Sequence, residues 1–201
     1  MADRYPGYDV LAKRGTPSWN ARTRAVIDER LSLAERTDVL NGVQRETLHA
    51  VAARIVPQPE GRAPVNLSAI LLDRLSEVES MDGYRHAALP PALEAWRRGL
   101  DATEAETQQQ HGLSFVLLAP AQADKLLQQV ESGRAAHPAW GDMPPALFWT
   151  WRLLPDLVSA YWSHPSAWSA MGFGGPAAPR GYVRLGANRR DPWEAEEKHV
   201  G

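Results

Sequence analysis

The sequence predicts an all-α fold, a single domain of five to six helices with an extended N-terminal arm and an irregular Gly/Pro/Trp-rich C-terminal wrap. Three observations predict it. Apolar residues recur at helical spacing, most cleanly in Leu89, Leu93, Trp96 and Leu100, which share one helix face. No segment alternates with period 2 and β-branched enrichment, the mark of a half-buried strand. The 201 residues (22.2 kDa) are 44% hydrophobic and 23% charged, enough to enclose one core.

Residues 1–20 carry Pro6, Gly7, Gly15 and Pro17 with little periodicity and read as the extended arm. Residues 21–162 read as the helical body. Ala21 to Glu35 sets Val26, Ile27 and Leu31 among alternating charges, a surface helix. Asn41 with Gln44 forms a capping box. The helix behind it places Leu48, Val51, Ala52 and Ile55 on one face, and Pro57 and Pro59 end it. Leu71, Leu75 and Val78 give a third stripe, and Asp82-Gly83 and Pro90-Pro91 mark a loop.

The Leu89–Leu100 stripe extends to Gln110, with Gly112 as its stop. Pro120 opens the next helix, with Ala123, Leu126, Leu127 and Val130 inward and Gly133 beyond its end. Leu147, Trp151, Leu154, Val158 and Tyr161 form the most regular stripe in the chain, which predicts that Trp151, like Trp96, is core. Pro155 lies inside that helix and removes a backbone donor, so a kink is expected there.

Residues 163–201 differ. Five glycines and four prolines fall between Ser163 and Trp193, which predicts neither helix nor strand. Trp168, Phe173, Tyr182 and Trp193 sit among them, and no charged residue occurs from Ser163 to Pro179. A disordered tail is polar and charged. This one is apolar and must lie on its own helices or on another protein.

Chemistry is mostly excluded. The chain has no cysteine, which removes disulfides, thiolate metal sites and cysteine nucleophiles. The formal net charge is −2, unlike a basic nucleic-acid binder. Gly172-Phe173-Gly174-Gly175-Pro176 lacks the strand before it and the helix after it that a phosphate loop needs. Glu46-x-x-His49 resembles one half of a di-metal element, and its one repeat, Glu196-x-x-His199, falls in a charged terminal stretch. No serine sits in a nucleophile elbow. The residues therefore predict no catalytic, cofactor-binding or metal site. A self-sufficient helical protein that binds a metal or ligand through a His/Glu site is the alternative.

The run Tyr161-Trp162-Ser163-His164-Pro165, then Trp168, then Gly172-Phe173-Gly174-Gly175-Pro176, then Pro179-Arg180-Gly181-Tyr182, resembles the C-terminal signature of the gluconate 2-dehydrogenase subunit 3 family. Thr47-Leu48 with Ala52, Arg54 to Pro57, Asp82-Gly83-Tyr84-Arg85, Glu94 to Arg97 and Leu154-Pro155-Asp156 fit as well. Ala170 departs from the pattern, which has an acidic residue there. The resemblance implies a non-catalytic small subunit bound to a large FAD-containing subunit of the glucose–methanol–choline (GMC) type. It implies a chaperone-like role in folding, stability or maturation, within a heterodimer or a complex that includes a cytochrome acceptor.

The tail is then expected to be the partner interface, through His164, Pro165, Trp168, Gly172, Phe173, Gly175, Pro176, Arg180 and Tyr182. The first residues show no basic start followed by an apolar run, so the expected location is cytoplasmic, with export alongside a partner to the periplasm as the alternative. No apolar stretch reaches the length of a membrane span.

FAD is expected to bind the partner and not this chain. The chain purified alone and mixed with FAD should show no protein-bound flavin absorbance after desalting; a stoichiometric yellow protein would refute this.

Overall fold

The computed structural model describes residues 4–77, 86–177 and 191–196. Among these the chain is all-α, with no strand. The helices are α1 (Ala21–Ser32), α2 (Gly42–Ile55), α3 (Leu67–Ser76), α4 (Ala92–His111), α5 (Pro120–Glu131), α6 (Pro145–Phe148), α7 (Leu154–Trp162) and α8 (Pro165–Met171). Among the described residues there are eight helices against the expected five to six, because a π turn divides the expected Leu147–Tyr161 helix into α6 and α7 and because α8 forms in the stretch expected to be irregular. Val78 and the Asp82-Gly83-Tyr84-Arg85 string lie outside the described residues.

The chain forms two compact units. One comprises the described residues of Met1–Leu33, Pro59–Val65 and Tyr161–Gly201; the other is Ala34–Gln58 with the described residues of Asn66–Ala160. In this division α1 groups with the arm and the tail.

The second unit is organised around α4. Gly112 stops this helix in the left-handed conformation at φ +67°, as its position predicts. The capping box is present: Asn41 accepts from the Gln44 N–H, and Gln44 returns a carbonyl to the Asn41 N–H. Gln44 also donates to both Asp101 oxygens at 3.0 Å, and Thr47 donates to Glu104, so a polar seam ties α2 to α4. Buried Glu106 accepts the His137 N–H at 2.6 Å.

Trp96 is fully buried, as its stripe predicts, and meets Phe148 edge-on at 5.5 Å. Its indole N–H donates to Asp156 at 2.8 Å. Burial pushes the Asp156 carboxyl above its ordinary value, against the opposing pull of Trp96, Arg152 and Arg74. Gly99 lies under the Phe148 ring so closely that a Cβ there would stand 2.4 Å from Phe148 Cζ.

Immediately before Pro155, where a kink is expected, the helix contains a π turn that reverses the stripe around it. Residues Trp149–Leu153 form a π turn, in which the Leu154 N–H reaches back five residues to the Trp149 carbonyl. Proline has no N–H to give the carbonyl four residues before it, and an inserted residue is a common resolution of that vacancy. The insertion moves the buried face by one position. Phe148, Leu153, Leu157 and Ala160 point inward together with Arg152, whereas Trp151 and Leu154 are each 39% exposed and Leu147 and Val158 half-buried. The prediction that Trp151 is core is therefore wrong, because a single π turn changes which face of an otherwise regular stripe is inside.

Trp96→Ala is expected to cost about 3–5 kcal/mol through the cavity it leaves. Gly99→Ala should cost about 1–3 kcal/mol by overpacking against Phe148. Thermal melting of the helical signal measures both. A Gly99→Ala protein as stable as the wild type would refute the close approach.

Candidate functional site

The first unit is where the expected interface falls, and its construction begins with the arm. Residues Val10–Gly15 form a 3-10 turn capped by Asp9, so the arm is not wholly extended. Asn20 caps α1 by accepting from the Thr23 N–H, and among the apolar residues of α1 only Ile27 is buried.

The tail contains a helix where none was expected. Pro165 occupies the first position of α8, and Gly172 ends it at φ +69°. Read singly, these are helix breakers; at the two ends of one segment they are helix borders. His164 supplies the cap, its Nδ1 accepting the Ser166 N–H at 3.2 Å. His137 caps a 3-10 turn in the same way. Both histidines that precede a proline therefore accept a backbone amide through Nδ1.

Arm and tail interlock. Val10, Trp19, Ile27 and Trp168 form one buried cluster, flanked by Tyr8 and Leu11. The Val10 N–H donates to Ser169 Oγ at 3.0 Å. The Trp19 indole N–H donates to the Pro176 carbonyl at 2.8 Å, and that of Trp168 to the Trp162 carbonyl at 2.6 Å. Lys13 Nζ donates to the Gly174 carbonyl at 2.9 Å. Burial lowers the Lys13 pKa, and the carboxylates of Glu194 and Asp191 oppose that shift. Arg62 binds the carbonyls of Tyr5 and Tyr8.

Gly172 and Gly175 are demanded twice over. Both have positive φ, and a Cβ would meet the Tyr5 ring at 2.6 Å or Trp168 and Val10 at 3.2 Å, respectively.

The structure thus brings most of the predicted interface residues together, but onto the chain's own arm. His164, Pro165, Trp168 and Gly175 are buried, and Gly172 and Pro176 half-buried. Trp168, the expected interface anchor, is 5% exposed and is surrounded by Val10, Trp19 and Ile27. Phe173 stands edge-on to Trp168 at 5.7 Å and remains 39% exposed. Arg180 and Tyr182 lie outside the described residues. The arm residues that complete the cluster gave no periodic signal in the sequence; Trp19 beside Pro17 was the one available hint.

Two surface features border this unit. A groove of about 290 Å³ is lined by Arg22, Val26, Arg30 and Pro176, among others, and a cleft of about 230 Å³ by Asp9, Arg62, Ser166 and Ser169. Among the described residues no three His, Asp or Glu side chains converge as a metal-ligand set. His49 pairs with Glu35 at 2.8 Å. No described helix is long and apolar enough to cross a membrane.

The helical body and its structurally committed glycine-rich tail define a class before they define a protein: a helical component whose signature residues serve packing. The model of the family described as gluconate 2-dehydrogenase subunit 3 matches residues 43–175, and the chain belongs to that family. The match includes α8 with Gly172, Gly174 and Gly175 and leaves out the arm. No curated protein and no solved structure matches the chain.

The His164 cap carries a pH dependence. Burial, aided by the positive Arg30 nearby, holds the His164 pKa below its ordinary 6.5. The folded state disfavours the charged ring, so this contribution is present above pH 6.5 and is lost as pH falls through the lowered folded value. His164→Asn retains a capping acceptor without the titration. Melting followed by tryptophan fluorescence should show a wild-type decline between pH 7.5 and 5 that the variant lacks in part. Equal pH profiles would refute the assignment.

Proposed function

We propose that the chain is a non-catalytic accessory subunit of a flavin-dependent sugar or polyol dehydrogenase. Its role is to support the folding, stability or maturation of a large FAD-bearing catalytic subunit of the GMC type. The family match over residues 43–175 carries this reading, since the family is named for a subunit of gluconate 2-dehydrogenase. The packing of the tail supports it: the glycine-rich string is occupied by Tyr5, Val10, Lys13 and Trp19, with its glycines placed for close approach rather than for phosphate. In this reading FAD and the reacting groups belong to the partner, a cytochrome accepts the electrons, and the complex is cytoplasmic or exported as a unit.

Co-expression with the large subunit tests it. The two chains should co-purify as one flavin-containing complex, and the large subunit made alone should lose most of its soluble, flavin-loaded form. A large subunit that is equally soluble, loaded and active without this chain would overturn the proposal.

A further inference from the structure

The arm is held to the tail at α8 and at the residues just after it. Val10 donates to Ser169 Oγ, Lys13 to the Gly174 carbonyl and Trp19 to the Pro176 carbonyl, while Trp168 closes the cluster with Val10, Trp19 and Ile27. With seven residues, α8 depends on its ends more than on its own hydrogen bonds. Two groups hold its N-terminal end. The His164 ring, buried, accepts the Ser166 N–H at Nδ1. Arg30 on α1 donates to the Ser163 carbonyl at 3.0 Å and lies over the Trp168 ring. The cap needs a bare Nδ1, which the charged imidazole does not have: both of its nitrogens carry hydrogens. One proton on this ring therefore turns the cap acceptor into a donor facing another donor. It also puts a second positive charge beside Arg30 in a buried corner.

The neighbouring groups do not compensate that charge. No charged residue occurs from Ser163 to Pro179. Tyr161, whose carbonyl accepts the His164 N–H at 3.1 Å, has a phenol that burial holds in its neutral form against the pull of Arg62. The arm brings Asp9 to Ser169 and Lys13 to the Gly174 carbonyl, both away from the capped end of α8. We propose that His164 is the acid-sensitive catch of a latch: when its ring gains a proton, α8 loses its cap and its hold on Arg30, and the arm comes away from the tail and uncovers Trp19 and Trp168, while the helices of the second unit stay folded. The latch is closed above pH 6.5 and opens as the pH falls through the lowered value of the folded state. It is a local opening set by one titrating side chain, and it holds whether or not the chain serves a flavoprotein.

Amide hydrogen exchange of the full-length chain, read by mass spectrometry from pH 7.5 to 5 and corrected for the intrinsic pH dependence of exchange, tests this. On acidification the peptides covering residues 8–20 and 165–176 should exchange about tenfold faster or more, while those of α2 and α4 keep their protection. His164→Asn keeps a capping acceptor and should hold the arm closed across the range. Arg30→Gln removes the positive neighbour and should move the opening to higher pH. In the wild type, the midpoint of the His164 ring titration followed by nuclear magnetic resonance should coincide with the midpoint of arm release. If His164→Asn does not fold, that coincidence decides alone. A ring that titrates without release of the arm, a release that His164→Asn leaves unchanged, or a release in which α2 and α4 lose protection together with the arm overturns the proposal.

Discussion

The first unit depends on how the Trp168 indole is held. Its ring fills the space between Val10, Trp19 and Ile27, Phe173 stands edge-on to it, and the Arg30 guanidinium lies 5.9 Å from its centre. Its N–H is satisfied by the Trp162 carbonyl, so the burial of a large apolar side chain leaves no polar atom stranded. The other constraints follow from that placement. Gly175 has to lack a side chain because Trp168 and Val10 occupy the space. Gly172 has to turn the chain off α8 because Tyr5 lies against it. Lys13 and Trp19 then fasten the next carbonyls, Gly174 and Pro176. A string of glycines that reads like a binding loop is in this way a record of steric contacts.

The second unit shows a different economy. A helix can absorb a proline by bending, by losing a hydrogen bond, or by inserting a residue. Here the insertion decides which side chains face the interior. Phe148 and Leu153, five positions apart, become neighbours on the buried side, and Phe148 in turn requires Gly99 on α4. The polar seam from Gln44 and Thr47 to Asp101 and Glu104 fixes α2 against the same helix.

Much of this was legible in the sequence, and the failures have physical causes. The helical class, the Asn41 capping box, the Gly112 stop and the core position of Trp96 all follow from short-range rules that tertiary contacts did not override. The pattern hides α8 because Pro165 and Gly172 read as breakers, although a proline at the start and a glycine past the end are also helix borders. The stripe points Trp151 into the core because a strict 3.6-residue repeat has no means of announcing a π turn. Within the tail, His164 and Gly172 border the helix that carries Trp168, and Gly175 lies against that ring. What they meet lies more than 150 positions away in the arm, as between Val10 and Ser169. No local pattern encodes such a pairing.

The discontinuous make-up of the first unit has a consequence for biosynthesis. The arm leaves the ribosome before the helix it must pack against, which is translated some 159 residues later, the separation of Val10 and Ser169. At about 5–20 residues per second the wait is on the order of 8–30 s. During that interval Val10, Trp19 and Ile27 have no permanent cover, whereas residues 34–58 and 66–160 are complete before the tail emerges. The nascent chain therefore carries these apolar residues uncovered until the tail arrives, a vectorial order in which a holding factor bound to the arm would act longest and matter most.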